Sequence, residues 1–293
     1  MSNHTNQSIT TVVIPIAGYG SRMFPETLLV NKALLPIGNK PSIIHIIEEV
    51  VTAKIPRIII IISPSQVELK NHLKPIQGEI LERFPNNDSI TKFNNLINQV
   101  KIEYVIQEHA KGLGDAIYQA KALLKENEAF GVILGDNVIT KHESYGIDEL
   151  VMAFNHHNAN YIGVIKVSDE ETKLYGIVQG PNIDSATKKF KIDQIIEKPS
   201  SNPPSNYACL GRYVFNYSIF KYLDDARKEN QELILPEAID LALLEEEVFG
   251  IKLTGKWLDV GNCLGFIKAN IDYALHDKEL KDKILKYLQE NYL

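Results

Sequence analysis

Cysteine is scarce in this chain, tryptophan occurs once, and no apolar run is long; each shortage closes a class of function. Cys209 and Cys263 are too few for a disulfide framework or a thiolate zinc site. They fit a reducing cytosol, so a cytoplasmic location is expected. No stretch approaches the ~20 apolar residues that a membrane-spanning helix needs, and the isoleucine run 58–62 reads as a core strand. Residues 1–10 are polar and lack the apolar centre of a secretory leader. Positive charge is in deficit: 31 Lys and Arg against 37 Asp and Glu leave a net charge of −6. That balance argues against nucleic acid as a partner. His45 and Glu48 lie on one predicted helix without a second ligand pair, which reads as a solvated edge rather than a metal site.

Two glycine motifs are also missing. A dinucleotide fingerprint needs a third glycine where Met23 stands. The stretch 250–257, GIKLTGKW, ends in Trp257 instead of the Ser or Thr of a phosphate-binding P-loop, and it reads as strand and turn.

What remains is organised around TVVIPIAGYGSRMFPETLLVNKALLP, residues 11–36. The apolar run from Val12 to Ile16 predicts a buried strand, and a loop with Gly18 and Gly20 follows at once. Glycines let backbone N–H groups approach an anion closely, while Arg22 supplies a planar fork of donors and Lys32 a mobile point charge. This suits a polyphosphate; a tight strand-to-helix turn with two surface cations fits the same residues.

Further along, 41–54 has helical spacing with Ile43, Ile44, Ile47, Val50 and Val51 on one face. Residues 57–62 form a strand buried on both faces, as in a parallel sheet. Residues 64–84 read as helical, and the polar PNNDS that follows as a mobile surface loop. The strand 101–106 runs into Gln107 and the loop Ala110-Lys111-Gly112-Leu113-Gly114. Gln107 can offer a donor and an acceptor, as an imide-type base edge requires, and Gly112 leaves room for a flat ring. A helix start with a glycine for close packing is the plainer reading. The strand 130–134 ends in Gly135-Asp136-Asn137, where Asp136 is either a magnesium ligand or the cap of a turn.

A strand resumes at 161–167, followed by strand-rich segments at 176–180, 190–196 and 207–215. Within these, Glu197-Lys198-Pro199 closes a strand, by default a solvated ion pair. Helices near 216–227 and 234–246 precede the strand carrying Trp257-Leu258-Asp259-Val260-Gly261. The tail 263–291 reads as helical, its apolar stripe docked on this chain or on a second copy.

Together, and in this order, these segments resemble the sugar-nucleotide pyrophosphorylases, most closely the bacterial UTP–glucose-1-phosphate uridylyltransferases. The matching residues are 18–25 (GYGSRMFP), Lys32 before Leu35-Pro36, Gln107 with 110–114 (AKGLG), Gly135-Asp136, Tyr175-Gly176-Ile177-Val178, Glu197-Lys198-Pro199, Gly211-Arg212-Tyr213-Val214 and Asp259-Val260-Gly261. The resemblance implies an α/β fold: a Rossmann-like open, mixed, mostly parallel sheet flanked by helices. Its domain would span 11–262, with a nucleotide-binding part (11–167) and a sugar-phosphate-binding part (168–262). A C-terminal helical extension, 263–293, would serve oligomerisation as dimer or tetramer.

By resemblance, Ala17, Gly18 and Gly20 hold the nucleotide, Arg22 and Lys32 contact its phosphates, and Gln107 and Gly112 read the base. Asp136 and Asp259 bind Mg2+. Gly176 and Glu197 contact the sugar hydroxyls, and Lys198 anchors the sugar phosphate. The implied reaction joins UTP and glucose 1-phosphate into UDP-glucose and pyrophosphate, with Arg22, Lys32, Asp136 and Lys198 as its catalytic groups. The chain departs from the branch pattern at Leu28, Asn31, Ala33 and Leu34, losing a cation and an acid. Its 33–36 and 134–137 segments lean toward thymidylyltransferases, the alternative reading, and a nucleotide-binding paralogue without catalysis is the other.

Overall fold

A computed structural model describes residues 8–140 and 146–292. Residues 1–7, read above as part of a polar start, and Leu293 at the end of the tail lie outside the described residues. In chain order the strands are β1 (Thr11–Pro15), β2 (Pro36–Ile37), β3 (Lys40–Pro41), β4 (Arg57–Ile62), β5 (Lys101–Ile106), β6 (Phe130–Ile133), β7 (Asn137–Thr140), β8 (Asn160–Lys166), β9 (Gly176–Gln179), β10 (Lys189–Lys191), β11 (Gln194–Glu197), β12 (Tyr207–Phe215), β13 (Val248–Lys252) and β14 (Lys256–Asp259).

One large sheet runs β10-β13-β8-β12-β6-β1-β4-β5, with β9 paired to β12 and β11 to β9. From the pairings, β1, β4, β5, β6, β8, β9 and β13 point one way, and β10, β11 and β12 oppose them. This is the expected mixed, mostly parallel sheet. Its parallel strands are apolar on both faces because helices cover both. Side chains alternate across each strand. Val12, Ile14, Ile58, Ile60 and Ile62 therefore pack beneath the helices Ser42–Thr52 and Gly146–His156, while Val13, Ile59 and Ile61 face the helices Leu113–Tyr118, Ile219–Asp225 and Leu235–Ala242. β12, from the later part of the chain, lies between β6 and β8. Segments 11–167 and 168–262 thus share one sheet.

Three local expectations change. Residues 64–84 are not one helix: the turns Pro64–Gln66, Leu69–His72 and Glu79–Arg83 are separate, with Pro75 and the positive-φ Gly78 between the last two. The PNNDS stretch is a helix start rather than a mobile loop, since Asn87 Oδ1 accepts the N–H groups of Ser89 (3.0 Å) and Ile90 (3.1 Å) to cap Asp88–Ile97. In the helix Ser42–Thr52, Ile46 and Glu49 are buried while Val51 is only partly so.

The tail divides into Cys263–His276 and Lys281–Asn291. Ala269, flanked by Phe266 and Tyr273, docks the first helix on Ile37, Val138, Leu258 and Val260. Leu264, Ile267 and Ile271 on another side stay exposed. Among the described residues no helix is long and apolar enough to cross a membrane.

Inside the sheet–helix interface sits an ion pair the sequence did not announce. Arg212, fully buried on β12, donates from Nε to Glu49 Oε1 (2.9 Å) and from Nη2 to Glu49 Oε2 (2.7 Å). Its Nη2 also donates to the carbonyl of Asn137 (2.9 Å), and Glu49 Oε1 accepts the N–H of Ile147 (3.0 Å). Such a two-pronged pair tolerates burial only while both partners remain. Glu49→Gln, which leaves the guanidinium buried without its counter-charge, is expected to cost about 3–5 kcal/mol in urea unfolding; an unchanged midpoint would reject this account.

Candidate active site

The site forms where strands end. After β1 the chain passes through Ala17, Gly18 and Tyr19 to Gly20, whose φ of 66° places it in the left-handed region. The loop is pinned from below: the Ile16 carbonyl accepts Asn31 Nδ2 (3.2 Å) and Gln66 Nε2 (3.1 Å), and the Gly20 carbonyl accepts the Thr27 hydroxyl (2.9 Å). Asn31 also caps the short turn carrying Lys32 by accepting the Ala33 N–H (2.7 Å). Two departures from the branch pattern gain a local reason here: Asn31 ties two segments of the loop together, and Ala33 is fully buried. Leu28, by contrast, is 67% exposed, and nothing in the structure explains it.

Beyond β6 stands Asp136. Lys32 Nζ donates to its Oδ2 at 2.5 Å, Arg22 Nη2 lies 4.0 Å from the same oxygen, and Asn137 Nδ2 donates to Oδ1 at 2.8 Å. Burial pushes this carboxyl up, but Lys32 and Arg22 outweigh burial and hold it below its ordinary value. β14 pairs antiparallel with β7, setting Asp259 opposite Asn137 and so beside Asp136. Asp259 accepts from the Gly261 N–H (2.8 Å), the Tyr175 hydroxyl (3.0 Å) and Asn262 Nδ2 (3.0 Å). Burial, then the Asp259 charge, push the Tyr175 phenol far up, so it remains a donor.

Gly261 is the hub of this cluster. A Cβ there would lie 2.8 Å from Asp136 Oδ2, 2.9 Å from Arg22 Nη2 and 3.0 Å from Asp259 Oδ1. Any side chain there would crowd the two carboxylates and the guanidinium and force them to shift.

At the far side, β11 pairs with β9 so that Glu197 faces Gly176, where a Cβ would stand 3.2 Å from Glu197 Oε2. Lys198 follows with φ +44°, uncommon for a residue other than glycine or asparagine. Its N–H donates to the Tyr175 carbonyl (3.1 Å), and its Nζ lies 3.1 Å from Glu197 Oε1.

Two adjoining cavities result. One, of about 480 Å³, is lined by Arg22, Gly112, Asp136, Gly176, Glu197, Lys198 and Asp259, with Tyr175 and Glu232. The other, of about 380 Å³, is lined by Ala17, Gly18, Gly20, Lys32, Gln107, Gly112 and Asp136, with Tyr19 and Glu232. Gly112, Asp136 and Glu232 belong to both walls. Every residue expected to bind nucleotide, sugar phosphate or metal therefore lines one of these two adjoining hollows.

One expectation needs correction. Gln107 does not offer a donor and an acceptor together: its Nε2 donates to Asp115 Oδ2 (2.8 Å) and to the Gly112 carbonyl (3.3 Å). Sequence reasoning also assigned no role to Tyr175, Asn137, Trp257 or Glu232. The single tryptophan, two positions before Asp259, was the available signal. Its Nε1 donates to Asn137 Oδ1 (2.6 Å) and so orients the neighbour of Asp136. Among the described residues no group of three or more His, Cys, Asp or Glu side chains could hold a metal; Asp136 and Asp259 are two carboxylates only.

Gly261→Ala is expected to lower turnover by crowding the charged groups apart, at most by the ~100-fold that a ~1 Å misplacement costs, with little change in thermal midpoint. Wild-type turnover in that variant would remove Gly261 from the site's hub.

With this geometry in view, similarity to known proteins is informative. The nucleotidyl transferase family profile matches residues 11–275. The UTP–glucose-1-phosphate uridylyltransferase of Bacillus subtilis (strain 168) is 34% identical over 287 residues, covering 97% of this chain and 97% of that protein. Among solved structures, a UTP-bound UGPase from Acinetobacter baumannii superposes with a TM-score of 0.87 at 26% identity, over 97% of this chain and 99% of that one. A UDP-glucose pyrophosphorylase complexed with UDP-glucose gives a TM-score of 0.81 at 26% identity, over 90% of this chain and 98% of that one. The chain belongs to the nucleotidyl transferase family, in the group of the UTP–glucose-1-phosphate uridylyltransferases.

Proposed function

We propose that this protein transfers the uridylyl group of UTP to glucose 1-phosphate, giving UDP-glucose and pyrophosphate. The observation that carries this reading is the convergence of Arg22, Asp136, Lys198 and Asp259 on one cavity, next to a second hollow lined by the glycine loop and Gln107. A protein that merely held a nucleotide would have no use for the second phosphate anchor.

A phosphate oxygen of glucose 1-phosphate attacks the α-phosphorus of UTP in line, and pyrophosphate leaves. The nucleophile is already ionised at neutral pH, so no general base is needed. Positioning and charge neutralisation supply the acceleration. The backbone at Ala17, Gly18 and Gly20 cradles the triphosphate, and Arg22 draws on the departing pyrophosphate. Lys32 lines the glycine-loop hollow while holding Asp136, so its one ammonium can serve carboxylate and phosphate alike. Gln107 and Gly112 meet the base. Gly176 and Glu197 take the sugar hydroxyls, and Lys198 the sugar phosphate.

Asp136 and Asp259 fit Mg2+, which binds through one or two carboxylates and completes its shell with water and substrate phosphates. When bound it would neutralise phosphate charge and favour attack at phosphorus. The exposed Leu264, Ile267 and Ile271 face is assigned to a second copy of the chain in a cytoplasmic homo-oligomer.

Lys198→Ala should raise the KM for glucose 1-phosphate ten-fold or more, following the ~1.5–3 kcal/mol of a hydrogen bond to a charged group, while leaving that for UTP nearly unchanged. Equal effects on both would take Lys198 off the sugar phosphate. Asp136→Asn should lower kcat by about 10²-fold or more without unfolding the protein; full activity would place the metal elsewhere. A pyrophosphate-release screen of four nucleotides against several sugar 1-phosphates tests the whole reading, with UTP and glucose 1-phosphate expected to lead. Uracil and thymine differ by one methyl, a discrimination of only ~1–3 kcal/mol, so dTTP is expected to follow UTP. Silence with every pair would leave a binder, not an enzyme.

A further inference from the structure

The side chains behind Gln107 carry more information than Gln107 itself. Asp115 lies in the first turn of the helix Leu113–Tyr118, with its side chain only 6% exposed. Its Oδ1 accepts from Arg227 Nη1 at 3.0 Å, and its Oδ2 from Gln107 Nε2 at 2.8 Å and Gln119 Nε2 at 3.3 Å. Arg227 is itself held over the Tyr118 ring, with Cζ 5.0 Å from the centroid.

Both groups that Gln107 Nε2 meets, a carboxylate oxygen and the Gly112 carbonyl, can only accept. The amide nitrogen must therefore point at them, which settles the orientation of the amide by chemistry. Oε1 is turned the other way, and among the described residues no donor is hydrogen-bonded to it. Gln107 is almost fully buried yet lines the hollow of the glycine loop.

We propose that Asp115, clamped by Arg227, is a positioning residue that sets base preference: it locks the Gln107 amide so that a lone acceptor faces the nucleotide and selects a base carrying an imide N–H. This rests on the reading above that Gln107 meets the base. Uracil and thymine present N3–H to such an acceptor. Cytosine presents a bare N3, so two acceptors would face each other. A buried polar group left without its partner is what makes hydrogen-bonding sites discriminate strongly.

Asp115→Asn tests the lock with nearly unchanged shape. Arg227 can only donate, so it claims Asn Oδ1 and turns Nδ2 toward Gln107. Gln119 turns its own carbonyl to Asn Nδ2. The Gln107 amide reverses, giving up its longer 3.3 Å bond to the Gly112 carbonyl, and offers N–H to the base. The preference for UTP over CTP, as a ratio of kcat/KM values, is expected to fall at least ten-fold, with CTP turnover rising. The double variant D115N/R227M frees Asn Oδ1 for Gln107 and is expected to regain most of the UTP preference. A UTP:CTP ratio unchanged in D115N, or equally lowered in the double variant, overturns the proposal, since general loosening would act on both nucleotides alike. If D115N does not fold, the double variant decides alone: a near-wild-type ratio supports the lock, and a collapsed one overturns it. Gln107→Leu separates the two levels. If that variant keeps the ratio, Gln107 does not meet the base and the reading beneath fails. If it collapses the ratio while D115N preserves it, Gln107 reads the base and Asp115 does not position it.

Discussion

Two carboxylates repel, and the centre of this molecule depends on keeping Asp136 and Asp259 together around Gly261. Neither is left bare. Lys32 and Arg22 face Asp136 from the loop after β1, and Asp259 accepts hydrogen bonds from Tyr175, Asn262 and the Gly261 backbone. The cations win over desolvation at Asp136, which stays an anion despite its burial. A site built this way already contains the opposed charges that joining two phosphate esters calls for, which is why substrate positioning can carry most of the chemistry.

That arrangement is supported from behind by Arg212 and Glu49, which line neither hollow of the site. Arg212 holds Glu49 of the helix Ser42–Thr52 and the carbonyl of Asn137 at once. Asn137 then accepts from Trp257 and donates to Asp136. The ladder between β7 and β14 closes the circuit by bringing Asp259 alongside. A buried ion pair behind the wall of the site thus links fold stability to carboxylate placement, and a change at Glu49 should be felt at the carboxylates.

The proposed base end follows the same logic. Gln107 taken alone is ambiguous, because an amide can turn either edge toward a ligand. Asp115, itself held by Arg227, and the Gly112 carbonyl remove the ambiguity by accepting from the amide nitrogen. On the proposed reading of Gln107, base preference is set by charged residues that never reach the ligand.

Much of the fold was legible because local pattern and burial agree there. The run Arg57–Ile62 and the segments Lys101–Ile106 and Tyr207–Phe215 are strands at the limits their apolar content suggests. Where proline, glycine or a capping asparagine competes with hydrophobic spacing, as across 64–88, pattern alone misjudged the element. That the expected site residues would lie together was legible only through family resemblance, since they come from separate strand ends, loops and short helical turns and no single one stands out. By itself the sequence determined which chemical groups are present, which segments must be buried, and that glycine-bearing loops follow the strands. Only the tertiary structure decided that Asp259 meets Asp136 across 123 residues of chain, that Arg212 faces Glu49, and which edge of Gln107 is free. Such pairings depend on strand register and on which donors are already taken, and neither quantity is encoded in local spacing.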